Sequence, residues 1–119
     1  IKRSKQGEQQ SAMLGWAGDN GDPDNFFGTL LGCESITAGG NASRWCNKDF
    51  DALIKKARLT PNQNERTKLY EQAQVIVHDE APWLNVAHSV SFTPIRKEVI
   101  GFKMAAFVQH HFEKVDLAK

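Results

Sequence analysis

The chain has 119 residues, 40% of them hydrophobic and 24% charged, with a formal net charge of +1. That balance excludes a disordered polyelectrolyte. Basic residues cluster only at Ile1-Lys2-Arg3-Ser4-Lys5 and Lys55-Lys56, which argues against a nucleic-acid partner, and no apolar run approaches the length of a bilayer span.

Residues 1–10 are polar and read as an exposed helix end or a loop. Ser11 to Trp16 is a short apolar strand candidate. From Ala17 to Asn25 the chain is turn chemistry: Gly18, Gly21 and Pro23 punctuate it, and its Asp and Asn side chains favour local bonds to backbone. Asp19, Asp22 and Asp24 fall within this acidic, glycine-rich loop. Such a place suits the capture of a positive group, because a carboxylate on a loop tip is partly desolvated while backbone amides hold it.

Asp24 or Asn25 is expected to cap a short helix through Phe26, Phe27, Leu30 and Leu31, stopped at Gly32. A second helix begins at the N-cap Asn47, with Phe50, Leu53, Ile54 and Ala57 forming one apolar stripe. Lys55, Lys56 and Arg58 lie toward its C-terminus, where they complement the helix dipole. The third helix is predicted to start at Thr60 as N-cap, with Pro61 in the first helical position and Gln63 completing a capping box. Leu69, Ala73, Ile76 and Val77 form its buried face, and Pro82 ends it by Ala81.

Trp83 to Val90 reads as a strand that runs into a break at Phe92-Thr93-Pro94. Ile95 to Lys119 shows no sustained period, apart from a final strand candidate from His111 to Leu117. There is no internal repeat. The strand candidates are few and separated, and isolated strands leave their backbone groups unsatisfied. The chain calls for sheet partners that it does not contain.

Cys33 and Cys46 flank a Gly-Gly loop. A disulfide closing roughly fourteen residues would remove on the order of 3 kcal/mol of chain entropy from the unfolded state, and it favours an oxidising compartment. The other reading is two free buried thiols. No zinc spacing surrounds either cysteine.

The run Gly15-Trp16-Ala17-Gly18-Asp19-Asn20-Gly21-Asp22-Pro23-Asp24-Asn25-Phe26-Phe27, with Cys33 and Trp45-Cys46, resembles the dipeptide/oligopeptide/nickel family of periplasmic solute-binding proteins of ABC importers. Leu69-Tyr70-Glu71-Gln72-Ala73-Gln74, His78-Asp79-Glu80-Ala81-Pro82, Ala87-His88-Ser89, Arg96-Lys97-Glu98-Val99 and His110-His111-Phe112-Glu113 extend the likeness to the C-terminal portion of a dipeptide-binding member. The resemblance implies an α/β fold class, namely a C-terminal fragment of a two-lobed, type II-like binding-protein fold. Residues 1–87 would end the C-terminal lobe; residues 88–119 would cross the hinge and pack on the N-terminal lobe. Ile1 opens no charged-then-apolar leader, so a mature product or a piece of a longer chain is expected.

By this resemblance Asp19 pairs with the α-amino group of a bound short peptide, since burying that ammonium needs a fixed anion. Loop chemistry alone offers Asp19 a second role, ordering its own turn. Gly15, Trp16 and Ala17 are candidates for a strand edge that pairs with ligand backbone. Gly15 and Gly18 permit close approach, and Trp16 supplies an apolar wall or fills a core. The ligand carboxylate would be held by an arginine outside this stretch. Expected partners are a short peptide, the permease subunits and the remainder of the parent protein, in the periplasm, with no cofactor. No nucleophile elbow or other catalytic constellation occurs, so an enzyme is not expected.

Two alternatives accompany this reading. His78, His88, His110 and His111 raise haem or a metal chelate as ligand, against structural roles at a helix end and on a strand. Asp22, Asp24 and Asn25 raise an independent domain with a calcium-stabilised loop, although the spacing misses the EF-hand pattern. Asn41-Ala42-Ser43 matches a glycosylation sequon, a match common by chance.

Overall fold

A computed structural model describes residues 2–107 and 109–118. In chain order the elements are α1 (Lys2–Gln6), α2 (Asp24–Leu30), α3 (Ser35–Ala38), α4 (Lys48–Leu59), α5 (Gln63–Glu80), β1 (Val99–Ile100) and β2 (Asp116–Leu117). Ile1, Val108 and Lys119 lie outside the described residues, so the predicted regions that run to either terminus are described without them.

The core forms where the apolar stripes of α4 and α5 meet. Phe50, Ile54 and Ala57 on α4 are buried, as their spacing predicts, and they pack on Tyr70 and Ala73 of α5. Leu53, Leu69, Ile76 and Val77 complete the contact as partly buried side chains. Phe50 is the hub: Phe27 of α2 meets it edge-on at 5.8 Å and Trp45 at 5.0 Å, while Phe27 also lies 5.8 Å from Tyr70. The Glu80 carboxylate ends α5 against the start of α4, accepting from Trp45 Nε1 and Asn47 Nδ2, each at 2.6 Å.

Asn47 caps α4 by accepting from the Phe50 amide at 2.9 Å, as expected. The cap of α5 differs from the prediction. Asn62, not Thr60, accepts from the Glu65 amide. Thr60 instead closes α4, its hydroxyl donating to the Lys56 carbonyl. Proline disfavours the helical conformation in the residue before it, so Thr60 is extended and the start moves past Pro61. At the other end Pro82 has the predicted effect, and Ala81 stops α5 in the left-handed conformation, φ 44°. The start of α2 also departs from expectation: Pro23 is the N-cap, without a side-chain bond.

Cys33 and Cys46 form a disulfide, with Cα atoms 4.7 Å apart. The loop it closes contains α3, which the sequence did not announce, and buried Asn41 ties it internally by donating to the carbonyls of Gly32 and Trp45. Asp51 of α4 anchors the loop's start, accepting from the Cys33 amide and pairing with Lys55. Lys55 also reaches Glu34. The helix-end cations thus make tertiary ties as well as complementing a dipole.

The three predicted strands fare otherwise. Ser11 to Trp16 and Trp83 to Val90 adopt no regular secondary structure, and of the last candidate only Asp116–Leu117 pairs, antiparallel with Val99–Ile100. A strand exists only through its neighbours, and among the described residues the first two segments have none. The side chains show the same deficit. Met13 is 89% exposed, Leu84 88% and Phe92 86%, and beyond Ala73 no described residue is buried. The radius of gyration is 18.2 Å, against roughly 13–14 Å for a compact chain of this length.

Phe50→Ala should therefore destabilise the helical unit by about 3–5 kcal/mol, read as a fall in urea midpoint. Reducing the Cys33–Cys46 bond should cost on the order of 3 kcal/mol in the same measurement.

Candidate functional site

The acidic loop is built from side chains that bond to its own backbone. Asn20 Oδ1 accepts from the Asp22 amide at 3.0 Å, and Asp22 Oδ1 accepts from the Asp24 amide at 2.9 Å. These two turns deliver the chain into α2. Gly18 fits because a Cβ there would press on the Phe26 ring and the Asn20 carbonyl, each 3.2 Å away.

Two of the three aspartates are occupied by arginines of the helical body. Arg66 of α5 pairs with Asp22 through Nη2, and Tyr70 lies beside the same carboxylate, its hydroxyl 3.5 Å from Oδ1. Arg58 of α4 donates to Asp24 Oδ1 at 2.7 Å. Gly28 makes that second pair possible, since any Cβ at this position of α2 would run into the Arg58 guanidinium. The carboxylates invoked for calcium are thus neutralised within the chain. Among the described residues no group of three His, Cys, Asp or Glu is placed to hold a metal ion.

Asp19 is different. It is exposed, and among the described residues it forms no ion pair of the kind that Asp22 and Asp24 make. Its partner is the neutral amide of Asn25, which donates from Nδ2 to Asp19 Oδ2 at 3.2 Å. Asn25 Oδ1 accepts from the Asp19 amide at 3.3 Å and from Trp16 Nε1 at 2.8 Å. The loop thereby brings together Trp16 and Asp19, both singled out in the sequence, through a residue read there only as a cap or a calcium ligand. Trp16 is 44% exposed and fills no core. Gly15 has nothing within 4 Å of where a Cβ would stand, so nothing in the chain requires a glycine there.

A cleft of about 760 Å³ opens beside the loop. Ala17, Gly18, Asp22 and Phe26 line one wall; Ser91, Met104, Phe107 and His110 line the other. Gly15, Trp16 and Asp19 are outside this lining. His110 packs against Phe102 at 5.7 Å and its Nδ1 accepts from the Ala105 amide. It lies off any strand, and so does His111, which opens the expected strand from His111 to Leu117. His78 is exposed beside Asp79 at the end of α5, and His88 is exposed in the irregular segment. Neither Arg58 nor Arg66 announces its role in the sequence; each lies more than thirty positions from its carboxylate, beyond any local pattern.

Burial pushes the Asp22 carboxyl up, but the Asp24 amide, the Arg66 guanidinium and the Tyr70 hydroxyl together hold it below the usual carboxylate range. Its folded pKa is therefore depressed. The stability it contributes is fully present above the unfolded value, about 3.9, and is lost as pH falls through the lower folded value. Asp22→Asn should flatten the fall in urea midpoint below about pH 4 and lower the midpoint at neutral pH.

Comparison with known proteins gives this geometry a context. No protein-family model matches the chain. It is 53% identical over 117 residues to the dipeptide-binding protein of Escherichia coli, covering 98% of this chain and 22% of that protein. It is 51% identical over 106 residues to heme-binding protein A of Haemophilus influenzae, covering 89% of this chain and 19% of that one. Among solved structures it superposes at TM-score 0.89 on the ABC transporter-associated periplasmic binding protein DppA of Helicobacter pylori, in complex with the peptide STSA. Identity there is 37%, covering 99% of this chain and 23% of the other. The dipeptide-binding protein of a Pseudoalteromonas species, in complex with Met-Leu, gives the same TM-score at 34% identity, covering 98% and 23%. The chain thus spans about a fifth of the length of the relatives it matches. Its helices and short ribbon are part of an α/β periplasmic binding-protein fold. Over nearly its whole length the chain is thus similar, in sequence and in fold, to a stretch that makes up about a fifth of dipeptide-binding proteins.

Proposed function

We propose that this stretch is the C-terminal part of a periplasmic solute-binding protein that captures short peptides, dipeptides foremost, and presents them to the permease of an ABC importer. Residues 1–87 end one lobe, and residues 88–119 return across the hinge and pack on the other. The protein holds its ligand and releases it unchanged, without a cofactor. The similarity to dipeptide-binding proteins over nearly the whole chain supports this reading, as do peptide-bound structural neighbours.

One observation carries the reading: among the described residues Asp19 is the loop acid that pairs with a neutral amide, where Asp22 and Asp24 pair with arginines. A dipeptide zwitterion brings an ammonium that must find an anion when two lobes close around it. Closure removes water from the pair, and the attraction strengthens as the local dielectric falls. Trp16 beside it offers an apolar wall tolerant of many side chains. Gly15 and Ala17 offer backbone to an extended ligand, and Gly18 lets the loop turn away beneath it.

The heme-binding relative favours a second ligand class, in the cleft beside the loop, with His110 on its wall. Haem added to the whole binding protein should give no Soret shift that His110→Ala removes if peptides are the ligand; a shift lost on that substitution would favour haem.

Isothermal titration of dipeptide into the whole binding protein tests the main reading. Asp19→Ala should lose roughly 3–5 kcal/mol of affinity, the cost of leaving a buried charge without its partner. Unchanged affinity would remove Asp19 from the site.

A further inference from the structure

Asn25 makes three bonds in the loop, and together they determine which way its amide faces. The oxygen accepts from both the Trp16 indole and the Asp19 backbone, so its lone pairs are filled. The nitrogen is therefore directed at the Asp19 carboxylate, where it engages Oδ2. Among the described residues only Oδ2 of this carboxylate takes a side-chain donor, which leaves Oδ1 for another. The position of Asn25 itself is firm. It lies in the first turn of α2, between Asp24, which Arg58 holds, and the rings of Phe26 and Phe27. Its amide accepts no charge and cancels none. In the same loop Asp22 and Asp24 are each met by a guanidinium, whereas Asp19 is met by a neutral donor. A guanidinium there would orient the carboxylate but compete with an incoming cation; an amide orients it and leaves its charge available.

We propose that Asn25 is a positioning residue that sets the Asp19 carboxylate and the Trp16 indole for the free amino end of a peptide, and so determines preference for free over blocked amines. The inference rests on the reading of Asp19 given above and goes beyond it by assigning selectivity to a residue that does not itself bind the amine.

The test compares Met-Leu with N-acetyl-Met-Leu by isothermal titration on the whole binding protein, with melting temperature measured alongside. The readout is the ratio of the two affinities. A hydrogen bond to a charged group is worth roughly tenfold or more in affinity, so Asn25→Ala should reduce the ratio by about tenfold. A merely structural role would weaken both ligands alike and leave the ratio unchanged, and that result overturns the inference. Asn25→Ser, too short to reach both partners, repeats the measurement if the alanine variant does not fold. Asp19→Ala separates the two claims. If it leaves the ratio intact, the amino end is held elsewhere and both fall. If it abolishes the ratio while Asn25→Ala and Asn25→Ser preserve it, the Asp19 reading stands and the Asn25 inference alone fails.

Discussion

The acidic loop depends on the meeting of the Asp22 carboxylate with the Arg66 guanidinium. No side chain between Ser11 and Phe27 is fully buried, so burial does not hold this segment in place. Its shape comes from polar bonds, and Asp22 is where these join the helical body. One of its oxygens orders the turn by accepting from the Asp24 amide, and the other reaches α5. Hydrogen bonds to charged groups are stronger than neutral ones, which suits a loop with so little apolar contact. The aromatic cluster around Phe50 fixes the far side of this arrangement, because Tyr70 belongs both to that core and to the surroundings of Asp22.

Three acids in six residues would repel one another if left alone. The structure divides them by partner. Arg66 and Arg58 neutralise Asp22 and Asp24, one from each long helix, and Gly28 leaves the space through which Arg58 passes. Asp19 is turned outward and steadied by an amide. Among the described residues, the loop thus holds one carboxylate by an amide alone, in a defined orientation. Its two neutralised neighbours serve as struts. In a calcium loop, by contrast, all the oxygens would converge on one point.

The two ends of the chain behave differently from its middle. Between Gly28 and Ala73 the chain buries its own apolar side chains. Outside that range, large apolar residues such as Leu14, Leu84, Val86 and Val90 stand exposed on segments without backbone partners. Leu84, Val86, Val90 and Phe92 share one parity, the alternation of a strand with a single covered face. The chain spans about a fifth of the length of the relatives it matches, and among the described residues the only sheet is the two-stranded ribbon of β1 and β2.

Local information sufficed for α4 and for the end of α5. The apolar stripe of α4, its cap at Asn47 and the stop at Pro82 all act within one or two turns, where spacing and side-chain chemistry decide the outcome. The acidic loop was legible for the same reason, and so was the pairing of Cys33 with Cys46 as one of two options. The cap at Asn62 was misjudged because Thr60 and Asn62 are both competent, and the constraint Pro61 places on its predecessor decides between them. Strands were legible as patterns but not as structure, since their hydrogen bonds belong to partners rather than to the segment itself. The partners of Arg58, Arg66 and Asn25 were decided only by the tertiary structure. Charge pairing across more than thirty residues leaves no periodic trace, and an asparagine in a turn gives no sign of which of its neighbours it will hold.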